Sequence, residues 1–415
     1  MAEQKKLHVI VLGTPEHEGQ MCGHAFDILG ITPTYVDPGR PEIPRTSTPH
    51  VVLLSREWSV ALRHAAVEAR QAGLPVIYVM DGVIEWSYMW DGWSFVKPEG
   101  TVLQPLIASD LCVIGRHPAR ILAALGLGER IHVVGMPRVD GLNRQRILDQ
   151  DQSPRIVVAT AKTFGQNVAH KVFVRAALRD LKNWFDTHPD IVPVWRIAGH
   201  VASDLGLIPS CEGTLVESLQ TASGLVSFAS SALLEGMLLG VPTAQIDYRS
   251  VPQYVQVGWE IRSADHIDNV IRELLHPPPE NLAFQEACLH DELEVGNASA
   301  RLADVLRRAA RGDGAWGTGP EQPEKILRGQ LDYRQVHSHL SSFSVSPMSR
   351  LQYELDATYT LRERDRQQLA ALRRSIDEIR KLHGGLLTAI LQRLTWLPGF
   401  RRTARLLKNI TSLNL

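Results

Sequence analysis

The stretch SSALLEGMLLGVP, from Ser230 to Pro242, places two serine hydroxyls about one helical turn before the carboxylate of Glu235. The preceding SGLVSFA is apolar and β-prone, either serine can cap a helix, and Gly240 with Pro242 can end it. This pattern predicts a strand, a polar turn and a short helix. In open α/β sheets ligands collect at such strand ends, where unpaired N–H groups favour phosphate. Glu235 lies beyond the capping-box position, so we expect its carboxylate not to be used for capping.

Two further carboxylates, those of Asp81 and Glu85, follow the apolar run PVIYVM. Gly82 lets the chain turn sharply, so both should lie at the carboxyl edge of a sheet and face a cleft. Either could act as a general base, because nearby aromatic residues would bury it and raise its pKa. The alternative is that Asp81 only caps a turn. The aromatic residues, which also suit stacking on a ligand ring, are Trp86, Tyr88, Trp90 and Trp93.

Basic side chains follow two other apolar runs. Lys162 comes after RIVVATA, and RIAGH supplies Arg196 and His200. Cations at the same sheet edge could stabilise the charge of a leaving phosphate without a metal ion, and His200 could also take part in catalysis. Both residues also have a non-catalytic alternative. Lys162 could be a solvated loop residue, and His200 could be a hydrogen-bonded structural histidine.

Two more pairs of polar residues lie near the predicted cleft. Arg138 and Asp140, in MPRVD, follow a strand beside the link between the two halves of the chain. They could close the cleft or touch the ligand, or they could form an internal ion pair that fixes the hinge. Asp247 and Tyr248, in IDYRSVPQYV, should form the far wall of the site.

Apolar β-rich runs alternate with helical segments from Leu7 to about Asp140, and this alternation restarts at Arg155 after a polar link. Such a pattern is typical of parallel sheets covered by helices on both faces. It predicts two α/β domains, residues 1–145 and 152–311. The predicted strands of the first domain are LHVIVLG, TPTYVD, HVVLLS, PVIYVMDG, LCVIG and IHVVG; those of the second include RIVVATA, DIVPVWRIA, SGLVSFA and TAQIDY.

Composition excludes several classes of protein. With 44 basic and 45 acidic residues among 415, the net charge of −1 gives no general attraction to nucleic acid. The 4 cysteines lack the spacing of a zinc site or disulfide framework, which is typical of a reducing cytosol. The apolar run in LHVIVLG is too short for a signal peptide or a membrane span.

The C-terminal part of the chain changes in character. Residues 312–350 are rich in Gly, Pro and Ser, which predicts a linker. Residues 351–383 repeat apolar residues at steps of three and four, which favours a coiled coil that joins two copies or binds a partner protein. The alternative is a single helix packed on the core.

The tail, residues 386–415, interleaves leucines and aromatic residues with cations and contains no acidic residue. A basic amphipathic segment with an interfacial tryptophan suits an anionic bilayer, so we expect peripheral attachment to the cytoplasmic membrane face. Docking to a partner protein is the alternative. The residues concerned are Arg393, Trp396, Arg401, Arg402, Arg405 and Lys408.

The serine-rich stretch, together with GMPRVDGL, VATAKTFG and RIAGH, resembles the two-Rossmann-domain (GT-B) glycosyltransferases. The nearer likeness, over roughly residues 7 to 311, is to bacterial surface-polysaccharide enzymes that include CDP-glycerol glycerophosphotransferases and some Kdo transferases. The resemblance implies an α/β fold of two Rossmann-like domains, the first for the acceptor and the second for the donor. It also implies that Ser230, Ser231 and Glu235 hold the phosphate and ribose of a nucleotide donor, and that no metal or cofactor is needed.

The chain departs from that family at two motifs. The glycerophosphotransferases carry a WHGTP-like segment in the first domain, where this chain has MDGVIEW, so no catalytic histidine is carried over there. In the second domain those enzymes have a basic residue followed by His-Pro, whereas RIAGH contains no proline.

These features together predict a cytoplasmic, membrane-associated glycosyltransferase that adds a sugar to a surface glycan or lipid-linked glycan. The donor would be a CMP-, CDP-, UDP- or GDP-linked sugar, and the sequence does not select among them. Two alternatives stay open: a nucleotide-sugar epimerase of the UDP-GlcNAc 2-epimerase type, and a non-catalytic scaffold. The basic tail favours transfer over epimerisation.

Overall fold

The computed structural model describes residues 7–38, 43, 50–57, 60–90, 101–142, 153–161, 168–197, 201–202, 205–210, 213–249, 251–313 and 330. The predicted coiled coil and basic tail, and nearly all of the predicted linker, lie outside these residues. The described chain is organised around two parallel sheets, and both belong to one compact unit.

The first sheet has six parallel strands in the order β2-β1-β3-β4-β5-β6. Each forms from one of the apolar runs of the first half of the sequence, so those strand predictions are confirmed. The strands are β1 His8–Leu12, β2 Thr34–Val36, β3 His50–Leu54, β4 Val76–Val79, β5 Asp110–Val113 and β6 Ile131–Val133. The helices between and after them are α1 Pro15–Cys22, α2 Ala25–Leu29, α3 Val60–Gln71, α4 Trp86–Trp90 and α5 Arg116–Leu122.

The second sheet has five parallel strands in the order β11-β10-β9-β7-β8. In each sheet, the strand that comes first in sequence has the second strand on one side and all later strands on the other, as expected for a doubly wound fold. The strands are β7 Arg155–Ala159, β8 Val192–Arg196, β9 Gly224–Ser227, β10 Thr243–Ile246 and β11 Trp259–Ile261. The helices are α6 Val168–Asp186, α7 Leu215–Gln220, α8 Ala232–Leu238, α9 Ile267–Leu275, α10 Pro279–Glu292 and α11 Ala298–Arg311.

We call the part of the fold built on β1–β6 the first lobe and the part built on β7–β11 the second lobe. Helix α11 follows the second sheet in sequence but packs on the first, where Leu302 and Leu306 join one core with Val9 and Val11. Asp140, after β6, accepts hydrogen bonds of 2.7 Å from the backbone N–H groups of Ala298 and Ser299 at the start of α11. Asp140 thus caps the returning helix, which is neither of the two roles considered from the sequence.

Helix α8 is buried along its whole length, from Ala232 to Leu238. Leu233, Leu234 and Met237 enter the core of the first lobe beside Val83 and Ile84. The helix that carries Glu235 therefore lies between the two sheets, which brings the serine turn of the second lobe against the carboxyl edge of the first.

The run HPARILAALGLG predicts a single helix over residues 117–128, but the helix that forms there is shorter. Helix α5 ends at Leu122, and a π-helical turn and a 3-10 turn follow, because Gly126 adopts a positive φ of 81°. Strand β11 and helix α7 were not predicted, since a strand of 3 residues and a helix of 6 are too short for a clear periodicity.

Candidate functional site

The turn between β9 and α8 is held by its own hydroxyl groups. Ser230 Oγ lies 3.1 Å from Ser227 Oγ and accepts a hydrogen bond of 3.3 Å from the N–H of Ala232. Ser231 occupies the N-cap position of α8, but its side chain makes no capping hydrogen bond. Both Ser230 and Ser231 are half-buried. A Cβ built on Gly82 would lie 3.6 Å from Ser231 Cβ, so the turn that follows β4 meets the serine turn.

An ion pair spans the two lobes beside this turn. Arg138 Nη1, from the first lobe, lies 2.6 Å from Glu235 Oε1 in α8. The Glu235 side chain is only 7% exposed, and Arg138 Nε is buried without a hydrogen-bond partner. An internal ion pair was one of the two interpretations of Arg138, and the partner is Glu235. We call this contact the single bridge.

A second contact between the lobes joins one arginine to two carboxylates. Arg249 Nη2 lies 2.8 Å from Asp247 Oδ2 and 3.0 Å from Glu85 Oε2, and Arg249 Nε donates to Asp247 Oδ1 at 3.0 Å. Burial lowers the pKa of Arg249, but the Asp247 hydrogen bonds and the Glu85 charge outweigh it and raise that pKa. Glu85 also accepts a hydrogen bond from Ser87. Glu85 and Asp247 are therefore held in an ion network, which we call the double bridge.

A small cavity beside the double bridge is lined by residues of both lobes. Its volume of about 10 Å³ corresponds to one water molecule. One wall is aromatic: the Trp86 and Tyr254 rings stack with centroids 6.3 Å apart, and Trp90 Nε1 donates to the Tyr254 hydroxyl at 2.6 Å. Two of the aromatic residues expected to cover the cleft thus pack against the second lobe; Trp93 lies outside the described residues.

Asp81, at the end of β4, is exposed to solvent, unlike Glu85. The protein around Asp81 nevertheless displaces enough water to raise the pKa of its carboxyl, while the charges of His17, Arg138 and Arg56 act in the opposite direction. Of the two carboxylates considered as general base, Asp81 is the one that remains open and outside an ion pair in the described part of the chain.

Sequence reasoning missed a third carboxylate at this edge, that of Glu18 in the first turn of α1. Its side chain is fully buried, and Ser55 Oγ, after β3, donates to Glu18 Oε1 at 3.0 Å. Burial raises the pKa of Glu18 to about 7, although the Ser55 hydrogen bond and the Arg56 charge lower it. The segment GTPEHE, directly after the first strand, could have indicated this cluster, because it begins at the same sheet edge as Asp81.

Comparison with solved structures finds several proteins with a fold similar to that of this chain. S. aureus MnaA in complex with UDP is similar with 12% identity and a TM-score of 0.50, over 76% of this chain and 100% of that one. Methanocaldococcus jannaschii UDP-GlcNAc 2-epimerase in complex with UDP-GlcNAc and UDP is similar with 13% identity and a TM-score of 0.50, over 72% and 99%. The wall teichoic acid polymerase TagF, as its H548A variant, has 12% identity and a TM-score of 0.49, over 74% and 90%.

The fold is GT-B. At these identities the likeness shows the architecture and leaves the activity open. Neither a protein-family model nor a curated protein matches the sequence.

The other predicted donor-binding residues of the described chain make contacts within the second lobe. Arg196, at the end of β8, donates to the carbonyl oxygens of Ser210 at 3.1 Å and Gly213 at 3.0 Å, so its guanidinium fixes the following loop. The Tyr248 hydroxyl donates to Asp180 of α6 at 3.1 Å. Lys162 and His200 lie outside the described residues. The structure thus brings Ser230, Ser231 and Glu235 to the cleft beside Asp81 and Arg138.

Across the described ranges, His, Cys, Asp and Glu side chains form no group of three or more that could hold a metal ion. No helix within those ranges combines the length and apolar character needed to cross a membrane.

Proposed function

We propose that the protein is a glycosyltransferase that moves a sugar from a nucleotide-activated donor to a surface glycan. The observation that carries the proposal is the meeting, between two GT-B lobes, of the serine turn at Ser230 and Ser231 with the exposed carboxylate of Asp81. Transfer requires a group that stabilises the leaving phosphate and a group that accepts a hydrogen bond from the acceptor hydroxyl as this hydroxyl loses its proton. The two sides of this cleft offer one group of each kind.

The donor would bind on the second lobe. The hydroxyls of Ser230 and Ser231 can donate to phosphate oxygens, and the Glu235 carboxylate can accept hydrogen bonds from the ribose hydroxyls. Because Glu235 Oε1 is paired with Arg138, hydrogen bonds from the ribose hydroxyls would compete with the single bridge. Arg138 would then be available to the leaving phosphate, so one rearrangement would recruit a cation as the ligand arrives.

The acceptor would bind on the first lobe. Asp81 is placed to accept a hydrogen bond from the attacking hydroxyl and to orient it, and its raised pKa makes it a stronger hydrogen-bond acceptor than a solvated aspartate. The Trp86, Trp90 and Tyr254 cluster would keep water from the far end of the cleft. Glu85 would serve to hold the lobes together through Arg249.

The location of the reaction is proposed from the sequence. The basic tail would hold the enzyme at the cytoplasmic membrane face, where a lipid-linked or surface glycan would be extended. Residues 351–383 would pair two copies or recruit a partner.

A second candidate is a nucleotide-sugar epimerase. The observation in its favour is that the chain spans 99% of the M. jannaschii UDP-GlcNAc 2-epimerase at a TM-score of 0.50. An epimerase would convert a nucleotide sugar when no acceptor is present, whereas a transferase would release nucleotide only as a glycan is extended.

The proposal is tested by thermal shift of the full chain with CMP, CDP, UDP, GDP and TDP. We expect one nucleotide to raise the melting temperature selectively, since a ligand that binds only the folded state stabilises it. Ser231→Ala should reduce that shift. Ser263→Ala should keep it, because Ser263 caps a 3-10 turn after the edge strand β11, two strands away from β9, and its side chain makes no capping bond. If no nucleotide changes the melting of the wild type, the proposed function is wrong.

A further inference from the structure

The Glu18 carboxyl is buried, and one of its two oxygens lacks a hydrogen bond. Its Oε1 atom accepts the Ser55 hydrogen bond, whereas Oε2 is buried without a hydrogen-bond partner. A carboxyl in such a place is costly to ionise, because neither water nor a strong donor compensates its charge. The fold nevertheless keeps a glutamate here, one turn from the cleft.

The glutamate is fixed in position by the chain that surrounds it. A Cβ built on Gly13 would lie 2.3 Å from Glu18 Cγ and 2.6 Å from Glu18 Oε1, so a larger residue at position 13 would displace the carboxyl. Thr14 caps α1 and accepts from the N–H of His17 at 3.4 Å, which sets the direction of the first turn. The carboxyl is therefore placed by both the end of β1 and the start of α1.

One chain of polar atoms connects this carboxyl to solvent. His17 Nε2 lies 3.4 Å from Ser55 Oγ and 3.9 Å from Glu18 Oε1, and the His17 side chain is 38% exposed. Catalytic hydrogen bonds are often long before substrate binds and shorten in the complex. Ser55 can donate to Glu18 while it accepts from His17, so the three side chains form a continuous path.

The groups around Glu18 set its proton affinity near neutral pH. Burial raises the pKa of Glu18 to about 7, the Ser55 hydrogen bond and Arg56 lower it, and Asp81 raises it. Arg56 Nη2 is 3.9 Å from Oε1, beyond hydrogen-bond distance. The other titratable side chains that face it are His17, Cys22, Tyr35 and Tyr78. A base is most effective when its pKa lies near the working pH, and Glu18 meets that condition.

We propose that His17, Ser55 and Glu18 form a proton-accepting chain that receives the proton of the acceptor hydroxyl, with Glu18 as its final holder. This inference rests on the proposed function and identifies where the proton goes. The O–H bond of the acceptor breaks as its oxygen bonds to the sugar, and an N–H bond forms on His17. The Nε2–H bond of His17 breaks as an O–H forms on Ser55, whose original proton moves to Glu18 Oε1.

The charge balance of this path explains the position of Asp81. The Asp81 carboxylate interacts electrostatically with His17, so it stabilises the imidazolium that forms while the proton passes inward. After the sugar has been transferred, the proton returns along the chain to solvent through the exposed side of His17. Asp81 thus orients the acceptor, and Glu18 stores the proton away from the donor phosphate.

The test compares Glu18→Gln with Glu16→Gln in the full-length protein. Glutamine keeps the shape of the side chain and can still accept from Ser55, but it cannot take a proton. Glu16 lies on the same turn and is exposed, so its substitution removes the same charge outside the chain of three residues. In infrared titration, the wild type and Glu16→Gln should show a carboxyl band that titrates near pH 7, and Glu18→Gln should lack it.

Kinetics provide the second readout. For the wild type, kcat/KM for transfer should fall about tenfold per pH unit below pH 7, since the essential base becomes protonated. Glu18→Gln should lower kcat about 100-fold or more and remove this dependence, while the nucleotide thermal shift stays unchanged. Ser55→Ala, which interrupts the chain but keeps the glutamate, should lower kcat similarly and serves if Glu18→Gln does not fold.

The outcomes separate this inference from the proposed function. A wild type that neither binds nucleotide nor transfers sugar would refute the proposed function and, with it, the catalytic role of the chain. An active wild type whose Glu18→Gln variant keeps the same pH profile would refute the proton-accepting chain alone. Persistence of the pH 7 carboxyl band in Glu18→Gln would also overturn it.

Discussion

The two arginine bridges that join the lobes differ in how completely their charges are matched. The double bridge places Arg249, which is 10% exposed, between two carboxylates and occupies both of them. The single bridge gives Arg138, which is 23% exposed, one carboxylate and leaves its Nε without a partner. The difference indicates that Arg249 fixes the lobes to each other, whereas Arg138 can exchange its partner for a ligand.

The largest effect on the free energy of unfolding should come from removing the arginine of the double bridge. Arg249→Met leaves Asp247 and Glu85 buried without their cation. Because unpaired buried charges are costly, we expect the free energy of unfolding to fall by about 4 kcal/mol. Urea denaturation should show this as an earlier midpoint. Arg262→Met, which breaks the more exposed pair with Glu260, should change the midpoint little. Equal midpoints for the two variants would contradict the role of Arg249 as the fixed contact.

The second largest effect on stability should come from Glu18, a buried carboxylate that has no hydrogen bond from an arginine of the described residues. Its pKa is about 7 in the folded protein against an ordinary value of 4.5, so the folded state holds a proton that the unfolded state releases. The stability that this proton supports is complete below pH 4.5 and is lost as the pH rises through 7. Glu18→Gln should therefore gain about 2–3 kcal/mol over the wild type between pH 5 and pH 8.

Urea denaturation at several pH values measures this gain, and Glu16→Gln is again the matched control. If the difference between Glu18→Gln and the wild type does not change with pH, Glu18 does not carry a raised pKa.

The smallest effect on stability, but a clear effect on binding, should come from the single bridge. Arg138→Met should lower the free energy of unfolding by about 1–2 kcal/mol, since one charged hydrogen bond is lost. It should also weaken nucleotide binding about tenfold, because the leaving phosphate loses its cation. Isothermal titration of the selected nucleotide measures this. Arg120→Met, which breaks an exposed pair with Asp291, should alter neither property.

A result in which Arg138→Met binds nucleotide as tightly as the wild type would remove the distinction between the bridges. Both would then be structural contacts.

The sequence predicted the strands well because parallel strands buried on both faces are almost continuously apolar. Runs such as HVIVL and HVVLL are short and rich in β-branched residues, which favours buried strands, and they form β1 and β3. The turn at Ser230 and the buried helix after it were predictable for a related reason. Three local signals were sufficient there: the end of a strand, a capping residue and a terminal glycine.

The partners of the site residues could not be predicted in the same way. Arg138 and Glu235 are 97 positions apart, and Arg249 and Glu85 are 164 apart, so only the packing of the two lobes decides that they meet. Asp247 was expected near the ligand but is bound to Arg249. Glu18 was overlooked because its importance depends on burial behind Ser55, a contact across 37 positions that leaves no periodic signal.

The return of α11 to the first sheet has a consequence for synthesis on the ribosome. One apolar face of β1 and β3 is completed by Leu302 and Leu306, which emerge only after the entire second sheet has been made. The part of the chain that is translated first is thus among the last to be sealed, contrary to the usual order in which N-terminal domains fold first. Until then, the nascent first lobe exposes an apolar surface of the kind that chaperones bind.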